Sequence, residues 1–337
     1  MPVRLVDRQP EVAVQSLIAG LVPPPLFSAV RFDNYRPDPA EPSQAAAAAA
    51  LAGFAAEIDT PAGRGGLLRK RARPSTRSGI YLDGGFGVGK THLLASLWHA
   101  VEGPKAYVTF VELTQLAGSL GFGRLVGELS AMRLLAIDEF ELDDPGDTVL
   151  VSTLLGRLDD AGVRFAATSN TLPDRLGEQR FAAADFLREI QAMAARFSSV
   201  RIDGPDFRHR GLPAAPEPPA EHSVRLAAER AGASLDDFTG LLTHLATLHP
   251  SRYGALLDGV SRVCLTGVVP APDQNVALRL VVLADRLYDR QIPIAASGLA
   301  LDQLFGPEML AGGYRKKYRR AISRLVALAR LSAVPAE

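Results

Sequence analysis

The residues with the most direct chemical meaning lie at 84–91, where the sequence reads GGFGVGKT. This segment fits the phosphate-binding pattern G-x-x-x-x-G-K-[ST] at every fixed position. Glycines let a loop wrap a diphosphate, because no side chain keeps the backbone amides away from the phosphate oxygens. Lys90 supplies a positive charge, and Thr91 a hydroxyl for Mg²⁺. The segment predicts a nucleoside triphosphate as ligand, and the candidate contact residues are Gly84, Gly85, Phe86, Gly87, Val88, Gly89, Lys90, Thr91 and His92.

A second group of polar residues ends an apolar run. The sequence RLLAIDEF at 133–140 is typical of a buried strand that finishes in two acids, Asp138 and Glu139. The carboxyl end of such a strand faces the ligand crevice of a parallel sheet. Asp138 would hold Mg²⁺ directly or through water, and Glu139 would polarise the attacking water. The alternative is an ordinary strand end that runs into an acidic loop, and Asp143 and Asp144 just beyond have that character.

A third polar position follows the apolar run at 163–168, which continues into Ser169 and Asn170. In a parallel sheet this strand end would lie beside the acidic one, where an amide could orient the lytic water near the terminal phosphate. Asn170 is therefore the candidate sensor. The alternative is an asparagine that only makes the turn before Leu172 and Pro173.

These three sites need strands to carry them and helices to connect the strands. After the loop, Leu93, Leu94 and Leu97 recur at helical spacing. Strands and helical stretches alternate along this part of the chain, which predicts an α/β fold with a five-stranded parallel sheet covered by helices on both faces. The predicted strands are at 79–83, 106–111, 134–138, 163–168 and 199–202.

Composition narrows the class of protein. With 337 residues, of which 47% are hydrophobic, the chain can bury a sizeable core and is expected to form two domains. The 37 basic and 37 acidic residues cancel, so no global charge attracts nucleic acid or a membrane. The single cysteine, Cys264, excludes an intramolecular disulfide, and the six histidines show no metal-ligand spacing. Without a secretory pattern or a membrane-spanning apolar stretch, the expected location is the cytoplasm.

A proline-rich break at 212–220 predicts a domain boundary. The part of the chain after it is expected to be smaller and mainly helical, with a clear helix at about 275–288. An alanine-rich run at 45–54 also predicts a helix. The predicted organisation is an N-terminal helical segment at 1–60, a core at 61–212, a proline-rich linker at 213–221 and a C-terminal domain at 222–337.

Two basic clusters have more than one interpretation. They are RKRAR within 69–73 and YRKKYRR at 314–320, the second with interleaved tyrosines. A solvated loop and a solvated helix are the commoner explanations, and binding of nucleic acid or an acidic partner is the alternative. We expect no stable nucleic-acid complex.

Several longer segments carry a family resemblance. They are FVELT at 110–114, LAIDEFELDDP at 135–145, ATSN at 167–170, DFRHR at 206–210, DRLYD at 285–289 and YRRAISRL at 318–325. Together they resemble the ZapE family of bacterial cell-division ATPases, which is related to mitochondrial AAA+ ATPases of the inner membrane. The resemblance is strongest to the actinobacterial branch, and it covers nearly the whole chain.

This resemblance implies a P-loop AAA+ core with a C-terminal lid, and oligomeric, Mg²⁺-dependent ATP hydrolysis linked to the FtsZ ring. It assigns the loop role to Gly84, Gly89, Lys90 and Thr91, the hydrolytic role to Asp138 and Glu139, and the sensor role to Asn170. It also implies that Arg180 reaches a neighbouring subunit's nucleotide and that Arg279 is a lid arginine reporting nucleotide state. Thr171 departs from the family pattern, in which an arginine often follows the sensor asparagine.

The residues around Arg180 leave that assignment open, because Arg175, Arg188 and Arg196 lie in the same segment. Any of the four could be a surface residue or an ion-pair partner. The chemistry favours some arginine, since a planar cation stabilises the charge spread over the phosphoryl oxygens in the transition state.

Three functions are consistent with this sequence. The leading hypothesis is a cytoplasmic, homo-oligomeric AAA+ ATPase that regulates or remodels the FtsZ ring or other division-ring proteins, with peripheral membrane association through a partner. The second is a helicase-loader-like ATPase that acts on replication proteins or DNA. The third is a nucleotide-gated scaffold, in which ATP binding rather than turnover controls partner binding.

Overall fold

A computed structural model of the chain describes residues 2–11, 13–60, 77–85, 87–142, 145–172, 176, 186–204 and 214–332. The described residues form two compact units. The five-stranded unit contains residues from 14–23 and from 27 to 204. The three-stranded unit contains residues up to 13, residues 24–26 and those from 214 to 332. The predicted N-terminal segment 1–60 therefore contributes to both units.

The five-stranded unit has one parallel sheet, in the order β2-β3-β4-β1-β5. Its strands are β1 (Gly79–Gly84), β2 (Lys105–Thr109), β3 (Leu134–Asp138), β4 (Arg164–Ser169) and β5 (Phe197–Ile202). Its helices are α1 (Val14–Ala19), α2 (Pro42–Asp59), α3 (Lys90–Ala100), α4 (Phe110–Leu120), α5 (Phe122–Leu129), α6 (Pro145–Asp160) and α7 (Leu187–Ala194). The predicted five-stranded parallel α/β fold is confirmed.

Strand β2 ends earlier than the predicted residue 111 because Thr109 starts a helix. The Thr109 hydroxyl accepts a hydrogen bond from the Glu112 backbone N–H at 3.2 Å, and the Glu112 carboxylate accepts one from the Thr109 N–H at 2.7 Å. This reciprocal capping box satisfies donors that the first turn of α4 would otherwise leave unpaired. Strand β5 begins earlier than predicted, at Phe197, whose buried ring packs against Tyr81 and Phe165.

The strand register brings polar residues to one edge of the sheet. Thr109 pairs with Asp138, and Asp83 pairs with Ser169. Strands β3 and β4 are direct neighbours, so their carboxyl ends lie side by side. The predicted adjacency of the acidic and polar strand ends is confirmed. Because parallel strands present their carboxyl ends at the same edge, the segments after β1, β3 and β4 border one crevice.

Apolar side chains cover both faces of this sheet. Along β1, Tyr81 belongs to one buried cluster, and Ile80 and Leu82 belong to another. Alternation of this kind is expected for a strand with both faces buried. The alanine-rich run forms α2, as predicted, and contributes the buried residues Ala47 and Leu51 to the second cluster.

The three-stranded unit also has a parallel sheet, in the order β6-β7-β8. Its strands are β6 (Ala233–Asp237), β7 (Arg262–Val268) and β8 (Ile294–Gly298), and its helices are α8 (Glu221–Ala227), α9 (Phe238–Thr247), α10 (Tyr253–Leu256), α11 (Gln274–Asp289), α12 (Pro307–Ala311) and α13 (Arg315–Ser332). Helix α11 matches the predicted helix at 275–288. These three strands are not among the predicted ones. Strand β6 reads ASLDD, which carries no strand period, whereas β7 reads RVCLTGV, a short apolar run of strand length.

The first residues of the chain extend this second sheet. Val3 forms a parallel bridge with Ser234, beside β6. The backbone N–H groups of Leu5 and Val6 donate to the Asp236 carboxylate at 3.1 and 3.2 Å. The Leu5 side chain is fully buried in the apolar core of the unit. Residues near the N-terminus and residues more than 200 positions later therefore share one core.

Candidate active site

The loop between β1 and α3 requires glycine at both of its ends. A Cβ atom at Gly84 would lie 2.2 Å from the Ile202 carbonyl oxygen, so only glycine fits beside β5. Gly89 has a φ angle of +93°, and a Cβ atom there would lie 2.7 Å from the Tyr35 ring. A left-handed backbone of this kind is readily adopted only by glycine. Of the predicted loop contacts, Phe86 lies outside the described residues.

Lys90 folds back over the loop that precedes it. Its Nζ donates to the carbonyl oxygens of Gly84 at 3.1 Å and Gly85 at 2.6 Å. It also donates to Oδ1 of Asn170 at 2.9 Å. The positive charge is therefore held between the loop and the end of β4, where a phosphate on the loop would meet it.

The Asp138 carboxylate is buried and accepts hydrogen bonds on both oxygens. The Thr91 hydroxyl donates to Oδ1 at 3.3 Å, and the Tyr107 hydroxyl donates to Oδ2 at 2.9 Å. The Thr168 hydroxyl and the Glu139 backbone N–H also donate to Oδ1. Four donors from four different segments thus fix the orientation of this carboxylate.

The donor set around Thr91 and Asp138 fits Mg²⁺. Hydroxyl and carboxylate oxygens are ligands that this hard cation prefers, and it commonly binds through one or two carboxylates together with substrate phosphates and water. The described part of the chain contains no group of three or more His, Cys, Asp and Glu residues that could hold a metal ion. Phosphate oxygens and water would therefore have to complete the coordination.

Glu139 has an unusual backbone conformation. Its φ angle is +55°, in the left-handed region that a non-glycine residue seldom adopts. Its N–H group is anchored at 3.1 Å to both the Asp138 carboxylate and the Thr168 hydroxyl. Strained backbone of this kind is often found at functional positions. The turn places the second acid immediately after the fixed Asp138.

Asn170 connects the loop to the acidic strand end. Its Oδ1 accepts from Lys90, and its Nδ2 donates to Oε1 of Glu141 at 3.2 Å. These two bonds define which way the amide points, because only the oxygen can accept and only the nitrogen can donate. Asn170 thus joins Lys90 to Glu141 through its amide, and its role as a sensor stays a prediction.

Tyr107 is a site residue that the sequence did not reveal. It lies in β2 with its side chain almost fully buried, and burial, followed by the nearby Asp138 carboxylate, raises the pKa of its phenol well above the usual value. The phenol is therefore protonated at neutral pH and donates to Asp138. In the sequence, Tyr107 is marked only as a hydroxyl residue on the strand before the acidic one. Thr168 is likewise a hydroxyl residue, on the strand after the acidic one.

Tyr35 is a second residue that sequence reasoning missed. Its hydroxyl donates to the Val88 carbonyl oxygen at 3.1 Å, and its ring packs beside Gly89. The His92 ring lies 5.3 Å from the Tyr35 ring, centroid to centroid, and its Nε2 is 3.2 Å from the Arg31 carbonyl oxygen. An irregular segment distant in sequence thus supports the phosphate loop. The predicted nucleotide contact of His92 stays a prediction.

Two arginines, Arg180 and Arg279, are also predicted as site residues. Arg180 lies outside the described residues. Arg279 lies on α11 of the three-stranded unit, where its guanidinium donates to the carbonyl oxygens of Leu245 and Leu248 at 2.9 and 2.8 Å. It also donates to the Tyr253 hydroxyl at 3.2 Å. Arg279 thus satisfies carbonyl groups at the end of α9, and its role in reporting nucleotide state stays a prediction.

None of the helices in the described residues is long and apolar enough to cross a membrane.

Comparison with known proteins places these features in a family. The family model described as AFG1-like ATPase matches residues 11–225 and 219–334. The cell division protein ZapE of Escherichia coli (strain K12) is 30% identical over 146 residues, which are 40% of this chain and 39% of that protein. The match thus spans about two fifths of the length of this curated relative.

Among solved structures, the chain is similar to DnaI and to the DnaC helicase loader. The structure of DnaI is 18% identical with a TM-score of 0.44, over 57% of this chain and 99% of that chain. The DnaC helicase loader is 17% identical with a TM-score of 0.37, over 53% of this chain and 99% of that chain. At this level of similarity these structures carry no argument about function.

Proposed function

Since the chain belongs to the AFG1-like ATPase family, we propose that it binds ATP with Mg²⁺ at the loop after β1 and hydrolyses it. One observation carries this proposal. Lys90 is hydrogen-bonded to Asn170, and Thr91 is hydrogen-bonded to Asp138. The loop, the acidic strand end and the polar strand end thus form one connected network at one edge of the sheet.

Each residue of the network has a role that follows from its chemistry. The loop amides and Lys90 bind the phosphates, and Thr91 and Asp138 would hold Mg²⁺. Bound Mg²⁺ would neutralise charge that develops on the phosphoryl oxygens. Glu139 orients the attacking water and accepts its proton, and Asn170 positions that water near the terminal phosphate. Catalysis is then mostly positioning and electrostatic stabilisation.

ATP turnover by the purified full-length chain tests this proposal. Lys90→Ala is expected to lose ATP binding, because the loop then lacks its cation. Glu139→Gln is expected to keep ATP binding while turnover falls by about a hundredfold or more. Addition of EDTA should abolish turnover of the wild-type protein. Equal turnover by wild type and Glu139→Gln would overturn the assignment of the acid.

We further propose that hydrolysis takes place in a homo-oligomer, with Arg180 contributing to the nucleotide site of a neighbouring copy. The family resemblance supports this proposal, and so does the charge that spreads over the phosphoryl oxygens in the transition state. Among the other arginines of this segment, Arg196 is engaged in an ion pair with Asp159, with 3.3 Å between Nε and Oδ2. Arg188 is exposed on α7 and provides a matched control.

Mixing two inactive variants tests this arrangement. Arg180→Ala has an intact loop, and Lys90→Ala has an intact arginine, so a mixed assembly should recover turnover that neither variant shows alone. Arg188→Ala is expected to hydrolyse ATP by itself. Turnover per subunit should also fall on dilution that separates the copies. A flat dilution series across a demonstrated dissociation would contradict the requirement for assembly.

For the cellular role, we propose that the ATPase acts on cell-division proteins, namely FtsZ or other components of the division ring. The similarity to ZapE, a protein named for cell division, supports this role. The longer sequence segments described above, which resemble the same family, are consistent with this role. Under this proposal the chain works in the cytoplasm and reaches the membrane through a partner.

A pull-down from native cells tests the role with Glu139→Gln as an ATP-locked bait and Lys90→Ala as the matched control. Enrichment of FtsZ and ring proteins on the locked form alone is the expected result. Enrichment of replication proteins, together with stimulation of turnover by single-stranded DNA, would instead establish the helicase-loader hypothesis. Full cellular function of Glu139→Gln would establish the scaffold hypothesis, because turnover would not be the output.

A further inference from the structure

We propose that Tyr107 is a positioning residue for the metal site, and that its hydroxyl holds the Asp138 carboxylate in the orientation that binds Mg²⁺. The inference deepens the proposed function and rests on the role assigned there to Asp138. The sequence patterns of the phosphate loop and of the acidic pair do not include Tyr107.

The contacts of Asp138 divide into two sides. Oδ1 accepts from Thr91, Thr168 and the Glu139 N–H, which belong to α3, β4 and the turn after β3. Oδ2 accepts from Tyr107 alone among the described donors, at 2.9 Å. Rotation of the carboxylate about the Cβ–Cγ bond would break the bonds to Oδ1 as well as the bond to Oδ2. Tyr107 adds the described restraint on Oδ2, so its removal leaves the orientation of the carboxylate to the donors on Oδ1 alone.

The Tyr107 hydroxyl is not needed to fill the core. The Tyr107 ring belongs to the buried cluster that also contains Ile80 and Leu82, and a phenylalanine ring would fill the same volume. A hydroxyl in such a cluster costs free energy unless it is hydrogen-bonded. Its described acceptor is the Asp138 carboxylate. The hydroxyl thus serves the carboxylate rather than the packing.

The location of Tyr107 in the sheet shows which two strands its hydroxyl connects. Among the described strands, β2 is at the end of the sheet beside β3, and the Tyr107 backbone N–H donates to the Leu21 carbonyl oxygen at 2.8 Å. The phenol adds a side-chain bond between β2 and the residue that ends β3. Because ligand-orienting partners beyond the metal's own ligands tune metal affinity, removing this bond should weaken Mg²⁺ binding by about tenfold.

The experiment compares Tyr107→Phe with Tyr81→Phe. Tyr81 is a matched control, because it is fully buried on a strand of the same sheet and its hydroxyl donates to the Thr171 carbonyl oxygen at 2.8 Å rather than to Asp138. The readout is the affinity of the protein for Mn²⁺, used as a paramagnetic probe in place of Mg²⁺, in the presence of a non-hydrolysable ATP analogue. Binding of a fluorescent ATP analogue in EDTA is measured in parallel.

The expected result is a Mn²⁺ dissociation constant that rises about tenfold in Tyr107→Phe and stays within twofold in Tyr81→Phe. Metal-free nucleotide binding should change by less than about twofold in both variants. An unchanged Mn²⁺ affinity in Tyr107→Phe, or an equal loss in Tyr81→Phe, would overturn the inference. If wild type binds Mn²⁺ no better than Asp138→Ala, the proposed metal role of Asp138 itself fails.

A second measurement applies if Tyr107→Phe does not fold. Replacing Tyr107 by 3-fluorotyrosine keeps the hydroxyl and introduces a ¹⁹F label. Addition of Mg²⁺ to the nucleotide-bound protein should shift this resonance. In a second sample, labelled at Tyr81 instead, the shift of the ¹⁹F resonance should be smaller. A Tyr107 resonance that does not respond to Mg²⁺ would overturn the inference.

Discussion

Lys90 and Asn170 lie 80 positions apart in the chain, yet the lysine Nζ donates a hydrogen bond to the asparagine Oδ1 at 2.9 Å. The same ammonium also donates to two carbonyl oxygens of its own loop. An ammonium group has three donors, so contact with a phosphate requires Lys90 to exchange at least one of these bonds. We therefore expect the bond between Lys90 and Asn170 to change when a nucleotide occupies the loop.

The first prediction concerns Asn170. Asn170→Ala should lower kcat for ATP hydrolysis by about a hundredfold, because a positioned amide is lost from the site. Asn170→Asp should instead raise KM, because a carboxylate would bind Lys90 more strongly and compete with the phosphates. Steady-state kinetics of both variants distinguish these effects. A kcat for Asn170→Ala equal to that of wild type would contradict the sensor role.

The second prediction concerns the support of the phosphate loop by Tyr35. Tyr35→Phe removes the hydrogen bond to the Val88 carbonyl oxygen, a loss of about 1 kcal/mol, and should weaken ATP binding by about fivefold. Gly89→Ala should abolish binding, because its Cβ atom would clash with the Tyr35 ring. Titration with a fluorescent ATP analogue measures both effects. Gly53→Ala is the matched control, since a Cβ atom there meets nothing within 4 Å.

The third prediction concerns the stability of the three-stranded unit. Asp285 on α11 pairs with Arg320 at 2.9 Å and also with Arg324, both on α13. Asp285→Asn should lower the free energy of unfolding by about 2 kcal/mol at pH 7, because two partly buried guanidinium groups lose their anion. Asp258→Asn removes an exposed pair with Arg290 and should cost less than about 0.5 kcal/mol.

The pH dependence of this effect has a defined sign. Burial raises the pKa of Asp285, but the guanidinium groups of Arg320 and Arg324 outweigh burial, so the net pKa is lowered. A carboxyl whose pKa is lowered by folding stabilises the protein above its unfolded pKa, about 3.9, and loses that contribution as the pH falls through the folded value. Hydrogen–deuterium exchange of α11 and α13 should therefore show the Asp285→Asn defect at pH 7 and a smaller one below about pH 4. An equal defect at both pH values would refute the ionic explanation.

The fourth prediction concerns Cys264, which is buried with Val224, Ala228 and Ala295. Burial raises the pKa of its thiol to about 11. Since the thiolate is the reactive form, about one molecule in a thousand would be reactive at pH 8. Iodoacetamide should label the folded protein far more slowly than the urea-unfolded protein. The chain has one cysteine, so mass spectrometry reports this site alone, and equal rates would contradict its burial.

Much of the five-stranded unit could be predicted because its signals are local. The loop needs two glycines, a lysine and a hydroxyl residue at fixed spacing, and short apolar runs that alternate with helical stretches indicate buried parallel strands. The position of Asn170 beside the acidic pair followed from the rule that parallel strands end at one edge. In the three-stranded unit, β6 was missed because its five residues mix polar and apolar types without a strand period. Strand β7 is a short apolar run, and periodicity alone does not distinguish such a run from a buried helical segment.

The sequence by itself determined the phosphate loop, the acidic pair and the strand-end asparagine. Each can be identified from residues that are close together in the chain. Only the tertiary structure decided that Tyr107 donates to Asp138, that Tyr35 supports the loop, and that Leu5 lies in the core of the three-stranded unit. These contacts join residues distant in the chain. They depend on strand order and on how the helices and strands pack. The hydrophobic period of a segment indicates that the segment is buried, but it does not indicate which other segment it contacts.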